Sequence, residues 1–352
     1  MPADALQSAV RRLAFGESLS AEHSAEAFGL IMSGEATPAQ VAALLMALRV
    51  KGETPDEVAG AARALRAAMI PIDAEDHGTL VDTCGTGGGA VTTFNISTAA
   101  ALLAAGAGVR VAKHGNRSFT SRSGSADVLE ALGVPLDATA AVMGDVLRRA
   151  GIVFMFAPTL HPAMRHVGPV RRELGIPTVM NIIGPLANPA SAGRQVVGVA
   201  ERPRMALLAG ALAALGAVHA LVVHGEPGMD EVSPLGPTHV AEVRGGTVRE
   251  WTIDPAAFGF GGVTADDLAG GDPVTNARII EGVLSGQGTA GARAAVVLNA
   301  AAAIYVSGLA SSLGDAVDRA RDVLASGAGK RALDRLRSAY QSSGASEGSE
   351  KP

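Results

Sequence analysis

The sequence predicts a small all-helical N-terminal domain followed by a large α/β domain with a mainly parallel central sheet flanked by helices. Three observations lead there. The first 70 residues carry helix punctuation and no strand signal. From Leu80 onward, short apolar runs alternate with helical segments, the pattern of βαβ units. The chain has 352 residues, 48% hydrophobic and 18% charged, which allows about two domains with sizeable cores.

The helical part is read from its caps. Thr37-Pro38-Ala39-Gln40 and Thr54-Pro55-Asp56-Glu57 each form a capping box with proline at the first helical position. Gly34 and Gly52 stand where the preceding helices should stop, and Val41, Leu44, Leu45 and Leu48 recur at helical spacing. The strands follow as Leu80-Val81, Val109 to Ala112, Ile152 to Phe156, Val196 to Val199 and Ala220 to Val223. Val240 to Val243 and Val248 to Ile253 flank Arg244-Gly245-Gly246-Thr247, a hairpin signal. Met205 to Val218 is apolar but short of the ~20 residues of a bilayer span, so it reads as a buried helix. The domains expected are 1–72, joined by helices from about 160–185, and 73–340. The Ser/Gly/Glu-rich residues 341–352 are expected to be disordered.

A formal charge of -5 gives no global basic field, so neither a general nucleic-acid binder nor a membrane-surface protein is implied. The one cysteine, Cys84, excludes an intrachain disulfide, and Met1 to Arg12 lacks the apolar core of a signal peptide, so a cytoplasmic protein is expected.

The chemistry begins at Leu80-Val81-Asp82-Thr83-Cys84-Gly85-Thr86-Gly87-Gly88-Gly89, a strand running into a glycine loop, followed by Thr92-Thr93-Phe94-Asn95-Ile96-Ser97-Thr98 at a helix start. Backbone N–H groups bared by glycine, a helix N-terminus and side-chain donors suit a phosphate or pyrophosphate; a tight turn using glycine for conformation alone is the plain alternative. No GxxxxGK[ST] occurs, and the GxGxxA match at Gly85 to Ala90 lacks the acidic ribose ligand about 20 residues on, so Walker and dinucleotide sites are disfavoured. From Thr83 to Ala126 there is no acid, yet Arg110, Lys113, His114, Arg117 and Arg122 all fall there. That marks a local anion field centred on a strand end and a Gly/Ser-rich loop, at the edge where α/β sheets bind ligands. His161 and His166 do not have the spacing of a zinc helix. The GxSxG match at Gly344 to Gly348 has no strand before it.

Taken in order, GTGG, TFNIST, VAKHGNR, SGSADVLEALG, HPAMRHVGPVRRELG, NIIGPLANP, VVHG and MDEVSP resemble the anthranilate phosphoribosyltransferase family over residues 80–235, with weaker similarity through Gly270 to Gly308. The resemblance implies transfer of the phosphoribosyl group of phosphoribosyl pyrophosphate (PRPP) to the amine of anthranilate, a step toward tryptophan. It implies a homodimer with the site in a hinge cleft between small and large domains, while the charge balance points to no nucleic-acid or membrane partner. Residue by residue, it places the donor on Gly85, Thr86, Gly87, Gly88, Thr93, Asn95, Ser97, Thr98, Lys113 and Ser125. Mg²⁺ falls on Asp230 and Glu231, with Ser97. Anthranilate falls on Gly85, His114, Asn116, His161, Arg171, Gly184 and Pro185, with Arg171 facing the carboxylate. No residue is an evident general base, although His114 could take a proton. Two departures stand out: Gly89 where the family commonly has Asp, and Pro177 where it commonly has Arg. The rival readings are a pyrimidine nucleoside phosphorylase and a catalytically silent relative that binds nucleic acid through the Lys113 to Arg122 face.

Overall fold

The structure, a computed structural model, describes residues 2–118 and 122–347; Phe119, Thr120 and Ser121 of the basic loop and 348–352 of the tail lie outside it. Four helices come first: α1 (Pro2–Ala14), α2 (Ala21–Met32), α3 (Pro38–Lys51) and α4 (Pro55–Ala67). Both capping boxes form, Thr37 with Gln40 and Thr54 with Glu57, each satisfying two otherwise orphaned N–H groups.

The second part alternates as expected: β1 (Val81–Gly85), α5 (Ile96–Gly106), β2 (Val111–Gly115), α6 (Ser125–Ala131), α7 (Ala140–Ala150) and β3 (Ile152–Phe156). A short α8 (Ala157–Leu160) and α9 (Gly168–Leu174) precede β4 (Arg194–Gly198), α10 (Arg204–Ala214) and β5 (His219–Gly225). The hairpin is β6 (Thr238–Arg244) and β7 (Thr247–Ile253), turned by Gly245 and Gly246 at φ 56° and 79°, where an L side chain would be strained. Four helices close the chain: α11 (Pro273–Leu284), α12 (Ala290–Ser307), α13 (Leu313–Ala325) and α14 (Ala328–Glu347).

The strand order is β3-β2-β1-β4-β5-β6-β7, parallel through β5 and antiparallel in the last two pairings. It reverses between β1 and β4, so helices cover both faces. Alternate residues of each strand therefore feed two cores. Val196, Leu221, Val223 and Val240 pack with α5 and α12, whereas Val197, Ala220, Val222, Ala241 and Val243 pack with α10. The second core runs on without a break into the helical bundle through Phe28, Leu44, Leu48 and Val58, and includes Ala163 to Ala187.

One expectation needs correction. The tail is helical as far as Glu347, because α14 is anchored: the Tyr340 hydroxyl donates to Phe154 O at 3.1 Å, and Arg149 reaches the hydroxyls of Ser342 and Ser343. Composition alone hid these distant partners on α7 and β3. The apolar run after Met205 forms α10 with a buried face, as expected, and α12, long and apolar enough to cross a membrane, has 78% of its length buried inside the fold.

Candidate active site

The site forms at the carboxyl edge of the parallel strands. β1 ends in the glycine loop, and α5 begins with its N–H groups turned to the same edge. The loop after β5 lies across it, bringing Asp230 and Glu231 over the ends of three strands. That close passage needs bare backbone: a Cβ on Gly85 would stand 2.8 Å from Asp230 Oδ2, one on Gly198 would overlap Asp230 O, and one on Gly225 would stand 2.5 Å from Glu231 O.

The two carboxylates occupy the donors that sequence reasoning assigned to phosphate. Gly87 N–H donates to Asp230 Oδ2 at 2.9 Å, and Ser97 N–H, at the start of α5, donates to Glu231 Oε1 at 3.2 Å. Burial raises the pKa of both acids, and Glu231, with Asp230 beside it, is pushed up to about 8. Lys113 is buried and donates to Thr83 O, to Thr83 Oγ1 at 3.4 Å and to Ser97 Oγ at 3.3 Å. One buried ammonium against this many acids leaves the edge short of positive charge, which suits a divalent cation. The donor set is two carboxylates and the Ser97 hydroxyl, all hard oxygen. No cluster of three or more His, Cys, Asp or Glu side chains exists among the described residues, so the chain would supply part of a shell, as magnesium sites that use substrate oxygens do.

Among the other donor-side residues, Thr86 is tied to β4 through its N–H to Gly198 O at 2.9 Å. The Asn95 side chain is held at both ends, donating to Ser123 O and accepting from Asn276 Nδ2 at 2.9 Å. Thr98 is buried, and its hydroxyl has no hydrogen-bond partner among the described residues. Ser125 Oγ donates to Asn116 O at 3.4 Å, and Gly88 and Thr93 lie along the same loop.

On the other face of β2, His114 Nε2 and His161 Nε2 meet at 3.2 Å. Desolvation lowers both pKa values, to about 3 for His114, with His161 adding to the effect, and to about 4 for His161. Both rings are therefore neutral near pH 7, and His114 is a weak proton acceptor. Gly184 touches His114 through its backbone, and Pro185 O is taken by Gln195 Nε2 at 2.7 Å. Asn116 Oδ1 accepts from Arg117 N at 2.7 Å. Arg171 stands half-buried on α9, and its guanidinium has no hydrogen bond or ion pair among the described residues. Pro177 is exposed beyond the end of α9.

Among the described residues, most cations of the acid-free stretch are paired or buried, while Arg122 stays exposed. Arg117 is held by Asp127 at 2.7 Å and Glu130 at 3.0 Å, Arg110 stands 3.7 Å from Asp76, and Lys113 is 3% exposed. Acids just outside the stretch in sequence fold back onto it. Sequence reasoning missed Asp82, Asn188 and Asn276, because each acts through a partner far along the chain.

Residues 7–69 match the helical bundle domain of the glycosyl transferase family, and residues 77–330 match its a/b domain. Fold and site thus define a glycosyl transferase with a helical bundle set before an α/β domain. The anthranilate phosphoribosyltransferase of Rubrobacter xylanophilus is 52% identical over 331 residues, 94% of this chain and 96% of that protein. The crystal structure of the anthranilate phosphoribosyltransferase from Thermus thermophilus matches with a TM-score of 0.89 at 44% identity, covering 95% of this chain and 99% of that one. The Saccharomyces cerevisiae anthranilate phosphoribosyltransferase in complex with PRPP and Mg matches with a TM-score of 0.86 at 28% identity, covering 96% and 98%. The chain belongs to the anthranilate phosphoribosyltransferase family.

Proposed function

We infer that this chain transfers the phosphoribosyl group of PRPP to anthranilate. The amine attacks the anomeric carbon, the bond from that carbon to the pyrophosphate oxygen breaks, and the amine proton is lost to solvent. The observation that carries the reading is the edge built by the glycine loop, the start of α5, Lys113 and the Asp230–Glu231 pair, with the neutral His114–His161 pair on the opposite face of β2.

The main barrier is charge on the leaving group. The N–H groups of Gly87 and Ser97 fix Asp230 and Glu231 at the edge, and the Lys113 ammonium beside Ser97 brings a positive charge to it; preorganised charge of this sort usually contributes more to catalysis than any other single effect. Mg²⁺ held by Asp230, Glu231 and Ser97 would supply further neutralisation of the pyrophosphate. Gly85, Thr86, Gly87, Gly88, Thr93, Asn95, Thr98 and Ser125 complete the donor cradle; Asn95 shapes it, being held by Ser123 and Asn276. On the acceptor side, His114, His161, Asn116, Gly184 and Pro185 wall the pocket, and Arg171 meets the carboxylate. The same reading includes a cytoplasmic homodimer. Phe15 and Val50, at 81% and 80% exposure, are the most exposed large apolar side chains among the described residues, and a second copy could cover them.

The test is loss of anthranilate fluorescence, expected only with both PRPP and Mg²⁺ present. Replacing Asp230 by Asn together with Glu231 by Gln should remove most of the rate and raise the Mg²⁺ requirement while the protein stays folded. An unchanged metal dependence would make the pair a mere loop, and phosphorolysis of uridine or thymidine instead would place the chain in the wrong branch.

A further inference from the structure

β1 and β2 run side by side, yet their ladder stops after one pair, Val81 with Val111, while β1–β4 and β2–β3 are paired along five residues each. In a continued parallel ladder the next rung would use Ala112 O, His114 N and Thr83 O. Side chains take all three. Asn188 Nδ2 donates to Ala112 O at 2.9 Å, His114 N donates to Asp82 Oδ1 at 3.1 Å, and Lys113 Nζ donates to Thr83 O. Asp82 and Asn188 are joined to each other, Asn188 Nδ2 to Asp82 Oδ2 at 2.8 Å, and Asn188 Oδ1 accepts from Ala190 N at 2.9 Å. Asp82 is fully buried and Asn188 is 2% exposed, so this is an interior wedge and not a frayed edge.

The wedge parts the two strands where they reach the site. Successive side chains of a strand point to opposite faces, so Lys113 reaches Ser97 on one side while His114 meets His161 on the other. Their common support is the β2 backbone, and the height of that backbone against β1 is set by Asp82. The segment carrying Gly184 and Pro185 leads directly into Asn188. We propose that Asp82, braced by Asn188, is a positioning residue for the transfer, fixing the donor-side cation Lys113 and the acceptor-side pair His114–His161 at one separation. A carboxylate suits the place: it accepts from two sides at once and its charge faces Lys113, whereas an amide in the same shape would turn a donor toward one of the two N–H groups.

This deepens the functional reading above and rests on its placement of Lys113 and His114, so the test includes a variant that probes that placement alone. The constants kcat and KM for both substrates are measured for D82N, N188A and K113M. The control is E242Q, which breaks an equally polar interior network, Glu242 with His219 at 2.8 Å, Tyr305 at 2.9 Å and Trp251 at 2.9 Å, at the opposite end of β5. D82N should lose about tenfold or more in kcat and raise KM for anthranilate, since a buried charged acceptor is lost. N188A should raise KM for anthranilate severalfold and leave KM for PRPP within about twofold. E242Q should lower Tm and leave every constant within about twofold. The proposal is overturned if D82N and N188A keep all constants within twofold, or if E242Q reproduces their changes at an equal loss of Tm. Should D82N fail to fold, N188A decides alone. If K113M leaves KM for PRPP unchanged, the donor placement itself falls; if K113M is impaired while D82N and N188A are not, only the wedge falls.

Discussion

Arg171 is the residue whose chemistry is least used by the protein itself. It is half-buried with no carboxylate near enough to pair among the described residues, and burial draws its pKa down. A ligand carboxylate would repair that deficit with up to two parallel hydrogen bonds. With Pro177 in place of a family arginine, R171A should raise KM for anthranilate by roughly 10- to 150-fold, the range of a charge-assisted hydrogen bond, and leave KM for PRPP nearly unchanged. R171K should recover only part of the loss, since an ammonium lacks the planar fork. A loss confined to PRPP would move the arginine to the phosphate site. The paired histidines make a different prediction. Their folded pKa values, about 3 and 4, lie below the ordinary value near 6.5, so unfolding takes up protons between those limits. Stability from this pair is complete above about pH 6.5 and is lost as pH falls toward 4, by up to roughly 1.4 kcal/mol per pH unit for each histidine. H161N should flatten the fall in urea-denaturation stability over that range relative to the parent. Equal slopes would show that the ring is not desolvated. Lys113 and the glycine loop were legible in the sequence because each belongs to a local strand-loop-helix unit, the loop after β1 and the lysine near the end of β2. Asp82 and Asn188 were not, since they meet across 106 positions and neither carries a motif of its own.

Elements were legible to the extent that their signals are local. Caps and helical spacing marked α3 and α4, and two glycines marked the β6–β7 turn. The failure came at α14, where a tail of serine, glycine and glutamate has no apolar pattern, yet its helix is held by groups on α7 and β3. Tyr340 is the anchor, 4% exposed, with its hydroxyl on Phe154 O. Y340A should therefore destabilise the protein by about 3 kcal/mol, within the usual cost of emptying a buried aromatic site, and Y340F by about 1 kcal/mol. Thermal or urea unfolding would measure both. A negligible effect of Y340A would mean that the end of α14 is only resting on the surface. The acid-free stretch teaches a related lesson. Charge counted along the chain suggested an open anion field, but Asp76, Asp127 and Glu130 sit within reach of it once the loops fold.

At the scale of the molecule, the fold class followed from alternation of strands and helices, and so did the strand edge where the candidate site residues gather. The continuity of the second core did not. One apolar mass spans the helical bundle, α10 and half of the sheet. Sequence shows which residues are apolar, while their shared core depends on which face of each strand meets the bundle. The three strand-ending glycines have the widest consequence. Gly85, Gly198 and Gly225 come from separate parts of the chain, and what they contribute is the room a methyl group would fill. The carboxylate loop is in effect cast in a mould whose surface is three missing methyls, so the shape of the candidate site is inherited in part from glycines with no side chain to offer at 198 or 225. A methyl at Gly198 would run into the backbone of Asp230 and lift both acids away from Gly87 and Ser97. G198A should therefore mimic loss of the acids themselves: a folded protein, activity down by about tenfold or more, and a raised Mg²⁺ requirement, with anthranilate binding kept. Should G198A retain full activity at the parent's Mg²⁺ requirement, the loop has slack to spare and the mould is not what sets it. If it behaves as expected, a harmless-looking glycine in the middle of a sheet is as much a determinant of metal affinity as the carboxylates, and a screen for inactive variants would uncover it with no contact to any ligand.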